Sequence, residues 1–330
     1  MRILVLGGTL YLSRTIAALA HERGHDVTVA ARGRSGSPPD GVHFVRADRS
    51  AAGGLNALSG QPFDAVVDVA RLPGLVGPAL DALAERAGHW TFVSTCSVYA
   101  DHETPGQQAA TARVLDPAPS DSLDADMEQY GANKVACENL VRSRLPDSSF
   151  IVRPGLVVGP GDPNDRFGYW PLRMADGGEV LAPGRPDDLV QYIDVRDLAE
   201  WVIDAAEAGM TGTHDGICPP ITRSQFLAEI VDAVNGDVEL TWVPQEFLEE
   251  HGVNSWAGEE SLGLWLPLPE YAGFLSHDPA SAVAAGLRIR PLRETTLHWY
   301  ANRSEPPALL ANLSREKEAA VLAAWHARSV

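Results

Sequence analysis

Tyr130 and Lys134 are the two residues whose types and spacing most clearly suggest chemistry. They lie four residues apart in a segment, about 129–144, with the pattern of a helix, so both side chains fall on one face. A free tyrosine has a pKa near ~10 and exchanges protons poorly at neutral pH. A neighbouring ammonium stabilises the phenolate and lowers that pKa, and it can also hold a ligand's ribose. The pair therefore predicts an acid–base site, although the same spacing is common on solvent-facing helices.

Hydroxyl side chains follow an apolar strand predicted at residues 90–93. Ser94, Thr95 and Ser97 come at the carboxyl end of this strand, with Cys96 among them. A doubly wound parallel sheet binds its ligand outside the carboxyl ends of its strands. A hydroxyl at this point can therefore bind the substrate oxygen that Tyr130 protonates or deprotonates.

A glycine-containing turn lies between the first predicted strand, residues 3–6, and the first helix. It reads Gly7-Gly8-Thr9-Leu10-Tyr11-Leu12-Ser13. Glycine lets the backbone approach a pyrophosphate, and the helix N-terminus offers unpaired N–H groups. Leu10 and Ser13 stand where a dinucleotide fingerprint has its second and third glycines. The motif predicts a dinucleotide site, and a simple tight strand-to-helix turn is the alternative.

The end of the second strand predicts which dinucleotide binds. Enzymes that use NAD usually carry a carboxylate there for the ribose 2′-hydroxyl, whereas this chain has Ala31 followed by Arg32. Arg32, supported by Arg34, is placed to hold a 2′-phosphate, so we expect NADP(H) to be preferred and keep NAD(H) as an alternative. A solvated basic turn is the other interpretation. Asp48, after the third strand, would accept a hydrogen bond from adenine or cap its own turn.

Short apolar runs alternate with helical patterns through the first half of the chain. The predicted strands are residues 3–6, 27–29, 43–45, 65–69, 90–93 and 150–152, and a helix is predicted at 77–87 before the fifth strand. This alternation is typical of an α/β fold: a Rossmann doubly wound parallel sheet, here with a smaller C-terminal substrate domain. We assign residues 1–165 to the cofactor-binding domain and residues 166–330 mostly to the substrate domain, with about 191–216 returning to the first.

Taken together, these motifs resemble the extended short-chain dehydrogenase/reductase family, also called the NAD-dependent epimerase/dehydratase family, and a reductase-like branch of it. The resemblance runs from residue 1 to about residue 290 and rests on Gly7-Gly8-Thr9, residues 64–70, Ser94-Thr95 with Val98-Tyr99, residues 130–134, Arg153-Pro154-Gly155 with Gly159-Pro160, and residues 191–199. It implies that Thr95 is the hydroxyl partner of Tyr130. It also implies that the backbone near Arg153, Pro154 and Val157 faces the nicotinamide and that residues 161–173 line the substrate pocket.

The candidate site residues fall into three groups. The catalytic candidates are Thr95, Tyr130 and Lys134. The candidates for cofactor binding are Gly7, Thr9, Leu10, Tyr11, Leu12, Arg32, Asp48, Arg49, Val69, Ala70, Lys134, Arg153, Pro154 and Val157. The candidates for substrate binding are Cys96, Ser97, Arg166, Trp170 and Gln191. We expect Trp256 and Trp265 to belong to the core rather than to a ligand platform.

These residues predict an NADP-dependent oxidoreductase that transfers a hydride to or from the carbonyl or hydroxyl group of a small molecule. A nucleotide-sugar epimerase that retains its cofactor is the first alternative. A non-catalytic dinucleotide sensor or scaffold is the second, since a fold does not fix a function. The intact set of Thr95, Tyr130 and Lys134 argues against it.

The composition of the chain limits which binding partners we expect. The formal net charge of -18 repels phosphate backbones, so we expect no nucleic-acid partner. The three cysteines form no CxxC pair and the histidines have no ligand spacing, so we expect no disulfide framework and no metal. Without a signal peptide or a run of roughly 20 apolar residues, we expect a cytoplasmic protein with no membrane partner. The resemblance suggests the helix at about 129–144 as a homodimer contact, and the sequence leaves the oligomeric state open.

Overall fold

The structure is a computed structural model that describes residues 1–328. Its strands are β1 Arg2–Leu6, β2 Asp26–Ala31, β3 His43–Arg46, β4 Ala65–Asp68, β5 Trp90–Val93, β6 Ser149–Pro154, β7 Val157–Val158, β8 Gly178–Pro183, β9 Leu189–Val190, β10 Ile193–Asp194, β11 Gly212–Gly216, β12 Ile221–Thr222, β13 Val238–Val243, β14 Asn254–Ser255, β15 Gly258–Glu259, β16 Ser261–Leu262 and β17 Ala311–Asn312. Its helices are α1 Tyr11–Glu22, α2 Pro73–Leu83, α3 Tyr130–Arg144, α4 Tyr169–Ala175, α5 Val195–Ala208, α6 Arg223–Val234, α7 Gln245–Glu250, α8 Ala280–Ala284, α9 Leu292–Asn302 and α10 Arg315–Ala327.

A parallel sheet of seven strands carries the first part of the chain. The strand order is β11-β6-β5-β4-β1-β2-β3, and every neighbouring pair is parallel. The inner strands are continuously apolar because helices cover both faces of the sheet. The chain leaves β1 toward β2 on one side and later returns to β4 on the other. The order therefore reverses between β1 and β4, which is where such a sheet opens a ligand cleft.

Helices on opposite faces bury two separate apolar layers of the sheet. On one face α1 and α5 pack together, and Ile16 and Trp201 lie in that core. On the other face α2 and α3 pack together, and Leu80 and Val141 lie in the second core. Because α1 and α3 are each clamped between a sheet and a neighbouring helix, the residues at their N-terminal ends are held firmly at the cleft.

A second unit forms around the largest core cluster, which is rich in aromatic side chains. The parallel pair β8 and β13 lies beside α4, α6 and α9, which pack on one another. The cluster includes Trp170, Trp265 and Trp299, each at most 1% exposed. This unit places the loop before α4 and the segment around β14 to β16 against the open edge of the first sheet.

The α/β fold class and the doubly wound parallel sheet are confirmed, and two elements differ from the prediction. The helix expected at 77–87 runs from Pro73 to Leu83, because a proline with its fixed φ starts a helix well and a 3₁₀ turn, Ala84–Arg86, follows it. The strand β11 was not predicted, since Gly212-Thr213-His214-Asp215-Gly216 lacks an apolar run; its backbone pairs with β6 at the edge of the sheet. None of the helices between residues 1 and 328 is long and apolar enough to cross a membrane.

Candidate active site

A cleft of about 340 Å³ opens at the carboxyl ends of the strands on either side of the β1–β4 reversal. Its floor is the turn after β1, where Gly7 and Gly8 have φ angles of 127° and 78°. A side chain at Gly8 would be strained at that φ, and its Cβ would meet Val29 at 2.6 Å. The backbone of this turn can therefore approach a ligand only because glycine occupies both positions.

Leu10 takes the fingerprint position usually held by glycine without disturbing the turn. Its φ of -135° is ordinary extended backbone, so a side chain is tolerated. Leu10 is the N-cap of α1 but makes no side-chain cap hydrogen bond, and the first turn of α1 has no acidic residue. Ser13 is buried and donates its hydroxyl to the Leu10 carbonyl at 2.9 Å. The N-terminus of α1 thus faces the cleft with unpaired N–H groups and suits an anion such as a pyrophosphate.

Two arginines line the far end of the cleft. Arg32 and Arg34 are both exposed and contribute to its wall, as does Asp48. Asp48 accepts hydrogen bonds from the Ser50 amide at 3.1 Å and the Ser50 hydroxyl at 2.6 Å, so it caps its own turn. These hydrogen bonds, together with the charges of Arg32 and Arg34, lower the pKa of Asp48.

Arg49 and Asp68 stiffen the base of the cleft. The guanidinium of Arg49 lies 2.8 Å from Asp68 Oδ1, and the Ala70 amide donates to the same oxygen at 2.9 Å. Asp68 is fully buried, and its second oxygen has no partner within residues 1–328. This ion pair holds Val69 and Ala70 in place along the cleft wall. The cofactor-binding candidates that line this cleft are Gly7, Thr9, Leu10, Arg32, Asp48, Arg49, Val69 and Ala70, and their role in binding stays a prediction.

A second cavity of about 490 Å³ adjoins the cleft, and Leu10, Val69 and Arg71 line both. The structure brings the three catalytic candidates together on its wall, Thr95 after β5 and both Tyr130 and Lys134 from α3. Tyr130 is the first residue of α3 and follows a 3₁₀ turn, Met127–Gln129, which Asp126 caps. Tyr11, Leu12, Ser97, Pro154, Val157 and Arg166 line the same cavity.

The phenol of Tyr130 is set up as a proton donor. Burial raises its pKa, while hydrogen bonding with Thr95 and the charge of Arg71 lower it. The net shift is upward, so Tyr130 keeps its proton at neutral pH. Lys134 is not among the groups that lower this pKa, which differs from the sequence-based expectation.

Lys134 is 2% exposed and is held by the backbone. Its ammonium donates to the Ala70 carbonyl at 2.8 Å and the Val93 carbonyl at 2.6 Å, and it lies 4.8 Å from the centre of the Phe92 ring. Burial lowers its pKa to about 8. Lys134 therefore joins the ends of β4 and β5 and remains charged at neutral pH.

The outer wall of the cavity comes from the second unit. Asp162, Asn164 and Arg166 lie in the loop before α4, and Trp256 and Phe274 face them. The Arg166 guanidinium stacks on the Trp256 ring at 5.0 Å. Burial raises the pKa of Asp162 to about 6. One wall of the cavity thus carries a hydroxyl and a phenol, and the opposite wall carries a cation, a carboxylate and two aromatic rings.

Two predicted site residues next to the cavity are structural. Cys96 is 1% exposed and donates its thiol to the Arg153 carbonyl at 3.3 Å, so it faces the core rather than the substrate. The Arg153 side chain is also buried; it pairs with Glu138 at 2.7 Å and donates to the Tyr99 hydroxyl at 3.1 Å. The Arg153 guanidinium is therefore held by its buried carboxylate and does not reach the cavity. That the backbone near Arg153 faces the nicotinamide stays a prediction.

Two predicted substrate residues lie in the core. The Trp170 ring is fully buried and donates to the Gly263 carbonyl at 2.9 Å. The Gln191 amide is 2% exposed and bridges the Cys218 and His277 carbonyls at 2.9 and 2.8 Å. Both predictions are wrong, since these side chains satisfy buried backbone groups.

Sequence reasoning missed three cavity residues and misassigned a fourth. Arg71 directly follows Val69 and Ala70 at the end of β4, so the rule that ligands bind at strand carboxyl ends could have found it. Asp162 and Asn164 lie in the loop that was predicted to line the pocket, but no local pattern singles them out. Trp256 was expected in the core and instead lines the cavity, whereas Trp265, at 1% exposed, is core as expected.

Comparison with known proteins relates this site to one enzyme family. The model of the NAD dependent epimerase/dehydratase family matches residues 77–217. The human epimerase family protein SDR39U1 is 27% identical over 258 residues, which covers 72% of this chain and 81% of the human protein.

Solved structures share the fold. The Bordetella bronchiseptica enzyme WbmH, in complex with NAD+, has a TM-score of 0.64 and 18% identity, and the match covers 91% of this chain and 97% of that one. A dTDP-4-dehydrorhamnose reductase from Clostridium acetobutylicum has a TM-score of 0.59 and 17% identity, over 91% of this chain and 99% of that one. At these identities the likeness establishes the fold.

Proposed function

We propose that this chain is an enzyme of the NAD-dependent epimerase/dehydratase family, in the extended short-chain dehydrogenase/reductase group, and that it reduces a carbonyl group of a small molecule with NADPH. One observation carries the proposal. The cleft that would hold the adenosine half of the cofactor has Arg32 and Arg34 on its wall and continues into the cavity of Thr95, Tyr130 and Lys134.

The residues of the cleft fit a nicotinamide dinucleotide phosphate. The turn at Gly7 and Gly8 leaves space that a Cβ would fill, and the uncapped N-terminus of α1 suits the pyrophosphate. Arg32 and Arg34 would hold the 2′-phosphate, because a guanidinium binds phosphate through two parallel hydrogen bonds. Lys134 would hold the ribose next to the nicotinamide.

The bound nicotinamide supplies the hydride, and the chain supplies the proton. Thr95 and Tyr130 would hydrogen-bond the carbonyl oxygen and orient it. Tyr130, whose pKa burial raises, carries a proton at neutral pH and would give it to that oxygen. The Thr95 hydroxyl and the charge of Arg71, which lower the pKa of Tyr130, would stabilise the phenolate that remains. The aromatic wall at Trp256 and Phe274 would exclude water from the reacting carbonyl.

A nucleotide-sugar epimerase is the second candidate, and one observation favours it. Two cations, Arg71 and Arg166, line the cavity and could hold a diphosphate. An epimerase of this kind returns the hydride to its own substrate, so its cofactor stays bound and NADPH is not consumed.

The small-molecule substrate, the homodimer and the division at residue 165 remain predictions.

The test combines cofactor binding with stoichiometry. We expect calorimetry to show tighter binding of NADPH than of NADH, and we expect a panel of small carbonyl compounds to contain one whose reduction consumes one equivalent of NADPH. Isomerisation of a nucleotide sugar without loss of NADPH would establish the second candidate instead. Tighter binding of NADH would contradict the cofactor assignment alone.

A further inference from the structure

Arg166 lines the cavity of Thr95 and Tyr130 and has no anionic partner among residues 1–328. Its Nε is buried and has no hydrogen-bond partner among residues 1–328. Across the same part of the chain, no carboxylate lies within the 4.0 Å of its guanidinium that would make an ion pair. An arginine stays charged under all ordinary conditions. Leaving such a group half-buried and unpaired is unfavourable, so the arrangement points to a partner that comes from outside the chain.

The ring beneath the guanidinium is held in place at the expense of backbone strain. Trp256 has a φ of 68°, a left-handed conformation that a bulky residue rarely adopts. Its amide donates to the Leu262 carbonyl at 3.0 Å, which ties it to the β14–β16 pair. The Trp256 and Phe274 rings pack edge to face, with their centroids 5.8 Å apart. Strained conformations of this kind concentrate at ligand sites, where the surroundings enforce them.

The backbone of Arg166 is fixed as firmly as its ring partner. Asp165 accepts hydrogen bonds from the Phe167 and Gly168 amides at 3.0 and 2.8 Å and from the Trp299 indole at 2.7 Å. On the other side Gly263 packs so closely that a Cβ there would lie 2.0 Å from the Arg166 carbonyl oxygen. The guanidinium is therefore presented by a rigid loop, so little conformational entropy is lost when it binds a ligand.

Asp162 is the carboxylate in the same loop that could neutralise Arg166. It forms no ion pair with Arg166 in the described chain, and its Oδ1 accepts the Asn164 amide at 2.9 Å. Burial raises the pKa of Asp162 to about 6. Asp162 is therefore largely ionised at neutral pH, where it opposes an incoming anion, and this opposition weakens in mild acid.

We propose that the substrate carries an oxyanion, a carboxylate or a phosphate, which the Arg166 guanidinium binds from its seat on Trp256 while Thr95 and Tyr130 hold the reacting carbonyl. The inference rests on the proposed function for the carbonyl but not for the anion. A planar guanidinium binds carboxylate or phosphate oxygens in pairs, and the Trp256 ring beneath it fixes the plane of that fork. Binding of the anion by Arg166 thus sets the orientation of the substrate in the cavity.

The experiment uses pairs of related ligands in which one member carries an anionic group and the other is neutral. Calorimetry of the NADPH-loaded protein compares benzoylformate with its methyl ester, and dihydroxyacetone phosphate with dihydroxyacetone; the two pairs distinguish a carboxylate from a phosphate. We expect at least one anion to bind about 10- to 100-fold more tightly than its neutral partner, as for hydrogen bonds to a charged group. Arg166→Met should abolish that preference and leave the affinities for NADPH and the neutral ligands unchanged.

Two further variants serve as an intermediate case and as a control. Arg166→Lys keeps the charge but loses the planar fork, so we expect an intermediate preference. Arg185→Met removes an arginine whose side chain is 81% exposed and lies outside the cavity, and it should change nothing. Equal binding of charged and neutral ligands, an equal loss in the Arg185 variant, or no binding of any anion would overturn the proposal. NADPH oxidation is recorded separately, so Arg166-dependent binding of an anion without turnover would refute the reductase and leave the anion site standing.

Discussion

The buried ammonium of Lys134 makes the stability of this protein depend on pH in a defined direction. Burial lowers its pKa to about 8 in the folded chain, against about 10.5 when unfolded. Between these values the unfolded chain keeps a proton that the folded chain has released, so stability rises with pH. The gap is equivalent to roughly 3 kcal/mol of unfolding free energy, most of which is gained between about pH 7 and pH 10.

The perturbation is Lys134→Met, which removes the charge and keeps the apolar stem. Urea unfolding of wild type and variant at the two pH values gives the difference in unfolding free energy. We expect the unfolding free energy of wild type to rise relative to that of the variant by about 2–3 kcal/mol at the higher pH. Burial raises the pKa of the buried tyrosines and cysteines in the folded chain, and apart from Cys137, whose pKa the charge of Lys134 lowers, these groups are common to both proteins. Lys317→Met, at the only other lysine, is the control and should show no such movement.

The pKa itself can be read directly because the chain has only two lysines. Protein labelled with ¹³C in lysine gives two Cε resonances, and the Lys134→Met variant assigns them. The resonance that is missing from that variant should titrate near pH 8 in wild type. Absence of any lysine resonance that titrates near pH 8, with a free-energy difference that does not change with pH, would refute the claim that burial lowers the pKa of Lys134.

The remaining predictions concern ligand binding and turnover. Arg32→Ala should weaken NADP(H) by about 10- to 100-fold in calorimetry and leave NAD(H) nearly unchanged, because only the 2′-phosphate contact is lost; equal losses for both would argue against the assignment. Tyr130→Phe should keep the fold and cofactor affinity but lose most turnover, since only the proton donor is removed; near-normal turnover would contradict the mechanism. Asp162, with a pKa raised to about 6, becomes neutral in mild acid, so the affinity for benzoylformate should rise several-fold from about pH 7 to pH 5. In Asp162→Asn that affinity should be high and flat over the same range, and a pH dependence identical to wild type would show that another group is responsible.

The sheet and half of the site could be predicted from local patterns. Continuous apolar runs mark strands that are covered on both faces, and the parallel order then brings the strand carboxyl ends together. This is why Gly7, Thr95 and Tyr130, which are far apart in sequence, were expected near one ligand and do line adjoining cavities. The tolerance of Leu10 follows from the same geometry, since its backbone is extended where its glycine neighbours are not.

The substrate side could not be predicted in the same way, because it depends on contacts between distant segments. Arg153 lies near the end of β6 and Arg166 in the loop before α4. Arg153 is buried against Glu138 of α3, whereas Arg166 is unpaired over Trp256. Nothing within a few residues of either arginine distinguishes the two outcomes. The difference arises because α3 presents a buried carboxylate to β6, whereas residues 254–263 present an aromatic ring to the loop before α4.

The position of Lys134 shows why this chain uses a lysine where it otherwise uses arginine. Of its 26 basic residues only Lys134 and Lys317 are lysines. The site at the ends of β4 and β5 requires one compact cation that reaches two carbonyls, of Ala70 and Val93, over the Phe92 ring. An ammonium offers three donors from a single atom, whereas a guanidinium is a broad plane that would have to displace one strand end. A guanidinium would also stay charged throughout, while an ammonium with a pKa near 8 can be tuned by what binds beside it. The chemistry that the site demands, rather than charge alone, therefore determines the residue at this position.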